Sequence, residues 1–217
     1  MSRVLPILFN MDMVRAILDG RKTVTRRLMK PQLPDTCPEC MYIHNEYIYD
    51  TNAQEVYCAS CGEPLYKSGI SYKVPYQPGD TLYVRETWNK CGNGYRYKAD
   101  WEKDDIADIA KWRPSIHMPK EAARIWLKVT EVRVERLKDM KPEDVRKEGM
   151  RLAITPNECK SQFNKIGAIH FYEEARKKFS ELWNSTLKKS DLARYGWDAN
   201  PWVWVIEFER CEKPEIL

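Results

Sequence analysis

Histidine and glycine are scarce in this chain, with three of one and nine of the other among 217 residues. His117 and His170 stand isolated, and no Ser-His-Asp order surrounds them, which removes a triad hydrolase. The glycines never gather into a phosphate-binding loop, and no pair of catalytic carboxylates can be picked out. No apolar run approaches the roughly 20 residues that span a bilayer. The opening MSRVLPILFNMDM has a short apolar stretch and no small-residue cleavage site, so a strand of a cytoplasmic protein is expected there, not a signal peptide. A strong charge of one sign is missing too. Thirty-six basic residues face 32 acidic ones, a net charge of +4. That balance permits a nucleic-acid partner without requiring one.

Apolar residues, by contrast, make up 43% of the chain and aromatic residues 12%, with eight tryptophans. That suffices for one packed domain over residues 1–217 carrying an insertion. The insertion is read at residues 31–78, which hold six prolines, many tyrosines and four paired cysteines. Cys37, Cys40, Cys58 and Cys61 form C-P-E-C and C-A-S-C, a C-x2-C-x17-C-x2-C pattern. Each pair puts two thiolates on one tight turn, and two such turns complete a tetrahedron for zinc. Four thiolates leave no open position for water, so the expected zinc is structural. Free thiols, two disulfides, or His44 in place of one thiol are the alternatives. A zinc ribbon of this kind either contacts nucleic acid or folds an insertion that has no core of its own.

The remaining chain reads as strand 4–9, a short helix MVRAILDG over 13–20 capped by Asn10 or Asp12 and stopped by Gly20, and a hairpin between the cysteine pairs. A strand follows at TLYVRETW, then a hairpin over 92–101 and a short helix or loop over 103–112. RIWLKVTEVRVERL alternates as a strand with a bulge near Thr130 and Glu131. KPEDVRKEGM begins a helix on proline with two acids in its first turn and ends at Gly149. Residues 151–170 are weakly patterned. A helix carries Phe171, Ala175, Phe179, Leu182 and Trp183, and PWVWVIEFERCE closes the chain as a strand. Many strands, mostly antiparallel, with few helices predict an α+β fold built on a small barrel.

One stretch is unlike the rest. DGRKTVTRRLMKP, residues 19–31, carries five basic side chains, two threonines and one acid, Asp19. Two chemistries fit. The stretch is a phosphate-binding loop, in which Arg21 and Arg27 pair with an anion and Thr23 or Thr25 donates to it. Otherwise Lys22 is a base, its pKa pressed down by Arg21, Arg26 and Arg27 and by burial, and it activates the Thr25 hydroxyl.

Three segments together, GRKTVTRR, PGDTLYVRETW and PWVWVIEFER, resemble the ASCH-domain proteins of the PUA-like superfamily, and more narrowly those encoded by phages and prophages. The resemblance implies a small β-barrel with flanking helices and a cleft for RNA or nucleotides. It also implies a possible activity, since some members are amidohydrolases that remove the acetyl group of N4-acetylcytidine. Carried over by motif, the catalytic set is Lys22, Thr25 and Glu148, the last from V-R-K-E-G-M. Arg21, Arg26, Arg27, Arg85, Glu86 and Trp88 are the expected substrate contacts. The partner is then a nucleoside, a nucleotide or RNA, with no membrane and no stated oligomer. A non-catalytic RNA-binding module and a ribonuclease using the same basic cleft are the alternatives.

Overall fold

The structure, a computed structural model, describes residues 2–41, 43, 46–69, 72–101, 111–151 and 165–215. Most of the expected loop at 103–112, the greater part of 151–170, and His44 lie outside the described residues. No helix among those described is long and apolar enough to cross a membrane.

Asn10 begins the first helix, α1 (Met11–Leu18), because its side-chain oxygen accepts the Met13 N–H and occupies one of the free amides of the first turn. Val14, Ala16 and Ile17 form its buried face, and Gly20 leaves the helix at a φ of +73°. The strands are β1 (Val4–Leu8), β2 (Val24–Leu28), β3 (Tyr47–Asp50), β4 (Glu55–Cys58), β5 (Thr81–Arg85), β6 (Trp88–Cys91), β7 (Gly94–Tyr97), β8 (Trp126–Arg136) and β9 (Trp202–Cys211). Helices α2 (Pro142–Lys147), α3 (Lys165–Ser185) and α4 (Leu192–Tyr195) fall between β8 and β9.

Five strands form one mixed sheet in the order β1–β5–β8–β9–β2, and the hairpins β3–β4 and β6–β7 stand apart from it. The long alternating segments β8 and β9 pair at its centre, with the expected bulge between Val129 and Glu131. Pro6 sits in an edge strand, the position that tolerates a residue with no amide proton. The pairing among the described residues is mostly antiparallel, as expected, with β1 running parallel to β5 as the exception. One expectation is corrected: the sheet stays open and does not close into a barrel, because no ladder joins β1 to β2. What crosses between those edges is a side chain: the Arg27 guanidinium donates to the Leu8 carbonyl at 3.0 Å.

Alternation along β9 divides the core. Trp202, Trp204, Ile206 and Phe208 face one side with Phe9, Ile7 and Leu82, and the cysteine-bearing hairpin covers this side. Tyr47 packs edge-on against Trp202 at 5.3 Å and Tyr49 against Trp204 at 5.2 Å. Val203 and Val205 face the other side with Val24, and there Val145 of α2 and Ala175, Phe179 and Trp183 of α3 cover them. The sheet is therefore sandwiched between the cysteine segment and the helices, and its two edges are β1 and β2.

Candidate functional site

Seven polar or charged side chains are buried among the described residues: Lys22, Thr25, Arg26, Asp80, Glu86, Asp144 and Glu148. Lys22, Thr25, Arg26, Asp144 and Glu148 lie along the edge strand β2 and the α2 turn beside it. Burying charge costs several kcal/mol unless it is paired, so such a concentration marks either a structural network or a functional site.

The backbone brings these groups together. Lys22 forms an isolated antiparallel bridge with Glu148, and the Thr23 amide donates to the Lys147 carbonyl at 2.8 Å. The end of α2 thus docks on the start of β2. Gly149 makes the approach possible: its φ is +96°, and a Cβ there would lie 2.7 Å from Ala16 Cβ and 3.0 Å from Lys22 Cβ. Glu148 then stands at the sheet edge, where it reaches side chains from either side of β2. Its Oε2 accepts the Lys22 amine at 2.8 Å, and its Oε1 accepts Arg26 Nη1 at 3.1 Å. Arg26 also donates to Asp144 at 3.0 Å and Glu135 at 3.1 Å.

Lys22 additionally donates to the Val24 carbonyl at 2.8 Å and the Glu148 carbonyl at 3.0 Å. Its amine lies 5.4 Å from the centre of the Phe9 ring, and the Arg27 guanidinium lies 5.4 Å from the same ring. Burial is the largest influence on Lys22 and pushes its pKa below the ordinary lysine value. Glu148 opposes that shift, and the charges of Arg27 and Arg26 add to it. Burial is thus the main cause, with like-charge repulsion a minor one.

Thr25 is buried and pairs with Ile206, so it faces the Phe9 side of the sheet together with Arg27. No hydrogen bond joins it to Lys22. Arg21 stays at the surface, bound to Asp19 at 2.8 Å and to the Gly149 carbonyl. Arg26 points inward into the carboxylate network, not toward solvent. The remaining expected contacts lie apart from this group. Arg85 donates to the Met118 carbonyl at 2.8 Å, and Glu86 is held by both prongs of Arg124 at 2.9 and 3.0 Å. Trp88 is buried in a small apolar cluster with Met118 and Trp126. Burial raises the pKa of Glu86, and Arg124 partly offsets the rise.

Sequence reasoning missed Glu135 and Asp144 as partners of the basic cluster, whereas Asp19, the acid it named there, does pair with Arg21. Asp144, four residues before Glu148 and so on the same helical face, was the available signal.

The cysteines form a second centre. All four Sγ atoms lie within 4.8 Å of one another, with Cys37–Cys61 at 3.9 Å and Cys40–Cys58 at 4.0 Å. A disulfide would need about 2.05 Å, whereas the edge of a tetrahedron with Zn–S bonds of about 2.3 Å is about 3.8 Å. The two turns repeat each other. Met41 N–H donates to the Cys37 carbonyl and Gly62 N–H to the Cys58 carbonyl, both at 2.9 Å, and both donors have positive φ. Burial raises the Cys58 pKa, yet backbone hydrogen bonds from Cys61 and Ser60 outweigh it and bring the thiol down to about 7. The set can hold a metal ion such as zinc.

No family model matches the sequence, and no curated protein matches it. Among solved structures, the chain is similar to an ASCH domain from Lactobacillus crispatus JV V101, at a TM-score of 0.36 and 11% identity. The match covers 96% of this chain and 79% of that one. A similarity of that degree is slight and assigns neither family nor activity.

Proposed function

We propose that this protein binds a nucleotide or an RNA base at the β2 edge and removes an acyl group from the exocyclic amine of an N4-acylated cytosine. The observation that carries this reading is the buried Lys22–Glu148 pair at 2.8 Å, with Glu148 on the wall of an open cavity of about 410 Å³. A lysine with a lowered pKa, held by a carboxylate beside a cleft, is suited to moving protons. The likeness of GRKTVTRR, PGDTLYVRETW and PWVWVIEFER to ASCH proteins supplies the substrate class.

The reaction needs an oxygen nucleophile and a proton carrier. The Thr25 hydroxyl or a water attacks the acyl carbon and gives its proton to the neutral Lys22 amine. Collapse of the tetrahedral adduct breaks the C–N bond, and Lys22 returns the proton to the departing N4 amine. With Thr25 as nucleophile an ester remains on it, and water cleaves that ester by the same traffic. Glu148 holds the Lys22 amine in place, and Arg26 with Asp144 holds Glu148. The four-cysteine set, in this reading, carries a structural zinc that seats the β3–β4 hairpin on the sheet.

One observation favours binding without turnover. The Lys22 amine already has three acceptors, and Thr25 is not one of them. Incubation of the pure protein with N4-acetylcytidine separates the two readings. Acetate release that disappears in Lys22→Arg supports the hydrolase. Saturable binding with no acetate released supports the binder.

A further inference from the structure

A second and larger cavity beside this site is not lined by the buried pair. It is a surface cavity of about 750 Å³ formed by the end of α2 and the Gly20–Thr23 segment. Arg21, Arg146, Lys147 and Arg151 line it, and Asp19 supplies one acid, so its walls carry four positive charges against one negative. Asp19 is occupied by Arg21 at 2.8 Å and by Arg151 at 3.4 Å. Arg146 and Lys147 have no ion pair and no side-chain hydrogen bond among the described residues, and the exposed Thr23 hydroxyl on the same wall has none either. These walls are braced by backbone: the Arg21 and Lys22 amides both donate to the Ala16 carbonyl, and the Thr23 amide to Lys147.

The cavity does not stand alone. Arg21, Met150 and Arg151 also line the smaller cavity on which Glu148 lies, so the two make one cleft with a cationic end and a reactive end. Ligand sites commonly occupy about 300–1,000 Å³ and use a few polar groups to fix orientation. Unpaired guanidinium and ammonium groups beside a free hydroxyl are the donors that recognise a phosphate.

We propose that the cleft end lined by Arg21, Arg146, Lys147 and Arg151 binds a phosphate group, so that the ligand is a phosphorylated nucleoside and not a free one. The inference extends the proposed function, because it takes the Glu148 end as the place of the base and its acyl group. It also moves the anion site. The inward-facing Arg26 is spent on carboxylates, and the 146–151 turn supplies the cations in its place. The phosphate comes either from a free nucleotide or from an RNA strand.

Calorimetry on the full chain tests this with cytidine, cytidine 5′-monophosphate and a short single-stranded oligoribonucleotide. The monophosphate is expected to bind about tenfold or more tightly than cytidine at low salt, the scale of one or two charge-assisted hydrogen bonds. The doubly substituted Arg146→Ala/Lys147→Ala protein, which loses no side-chain partner among the described residues, should abolish that preference and leave cytidine binding unchanged. A steeper salt dependence and tighter binding for the oligonucleotide assign the phosphate to RNA; equal or weaker binding assigns it to a nucleotide. Equal affinity for cytidine and its monophosphate overturns the proposal, as does a preference that survives the double substitution. Because binding is read without turnover, failure to hydrolyse N4-acetylcytidine 5′-monophosphate, bound as tightly as cytidine 5′-monophosphate, would overturn the reaction and leave the phosphate site standing.

Discussion

Glu148 stands between two cations that the chain places four residues apart: one carboxylate oxygen accepts Lys22 at 2.8 Å and the other accepts Arg26 at 3.1 Å. All three side chains are buried, and Gly149 lets them meet. Removing the charge with Glu148→Gln leaves Lys22 without its counter-ion and Arg26 short of one. Breaking a buried pair in this way costs about 3–5 kcal/mol. Urea denaturation should report a loss of that order, with Asp144 and Glu135 keeping it toward the lower end. A loss under 1 kcal/mol would mean that water reaches the pair.

Lys22→Arg retains a positive charge but not a group that can deprotonate. Acyl hydrolysis should fall by at least about 100-fold, the lower range of general-base effects, with the fold intact by circular dichroism. Full activity in this variant would reduce Lys22 to a fixed charge.

The pH dependence follows from the direction of the Lys22 shift. Its pKa in the folded protein is lowered, chiefly by burial. An unfolded lysine titrates near ~10.4. Between the two values the unfolded chain binds more protons, so this group's contribution to stability rises with pH through that window and is lost as pH falls toward the folded pKa. In the proposed reaction the neutral amine is the active form, so kcat/KM should climb with pH and level off below the usual lysine range. A profile flat across that window, or one identical in Lys22→Met, would contradict the assignment.

Gly149→Ala combines a φ of +96° with a Cβ 2.7 Å from Ala16 Cβ. Left-handed strain of about 1–2 kcal/mol and overpacking of about 1–3 kcal/mol act together. The melting temperature should fall, and activity should fall further than stability alone accounts for, because the Glu148 turn is displaced. Gly62→Ala has a φ of +71° with nothing within 4 Å of the new Cβ, and serves as the control for strain without a clash.

Metal analysis should find one zinc per chain. Removal by a chelator is expected to reach beyond residues 31–78, because Tyr47 and Tyr49 of the hairpin pack on Trp202 and Trp204 of the central sheet. Tryptophan emission and near-ultraviolet dichroism should both change. Loss of zinc with no change in either signal would mean that the hairpin is seated without the ion.

Several of these features could be read directly from residue order. The cysteine turns, the α1 cap at Asn10, the alternation of β8 and β9 and the bulge after Val129 all depend on spacings of a few residues. Local backbone geometry fixes such features, so short motifs encode them. The early part of α3 was not read, because the helix begins at Lys165, before the apolar positions that reveal its period. Arg26 was misread for a different reason. An arginine in a run of basic residues looks like a solvated side chain, and nothing nearby in sequence contradicts that.

The sequence by itself determined the ligand chemistry of the four cysteines, the main strands and helices, and the short basic motif that holds Lys22 and Thr25. Tertiary structure decided which of those groups meet. Arg26 turns inward because its carboxylates come from positions 109, 118 and 122 residues away. The sheet remains open because β1 pairs in parallel with β5, 77 residues distant along the chain, and no ladder joins it to β2 at the other edge. Such pairings repay loop-closure entropy only once the whole core assembles, so they leave no local periodicity for a reader of the sequence to find.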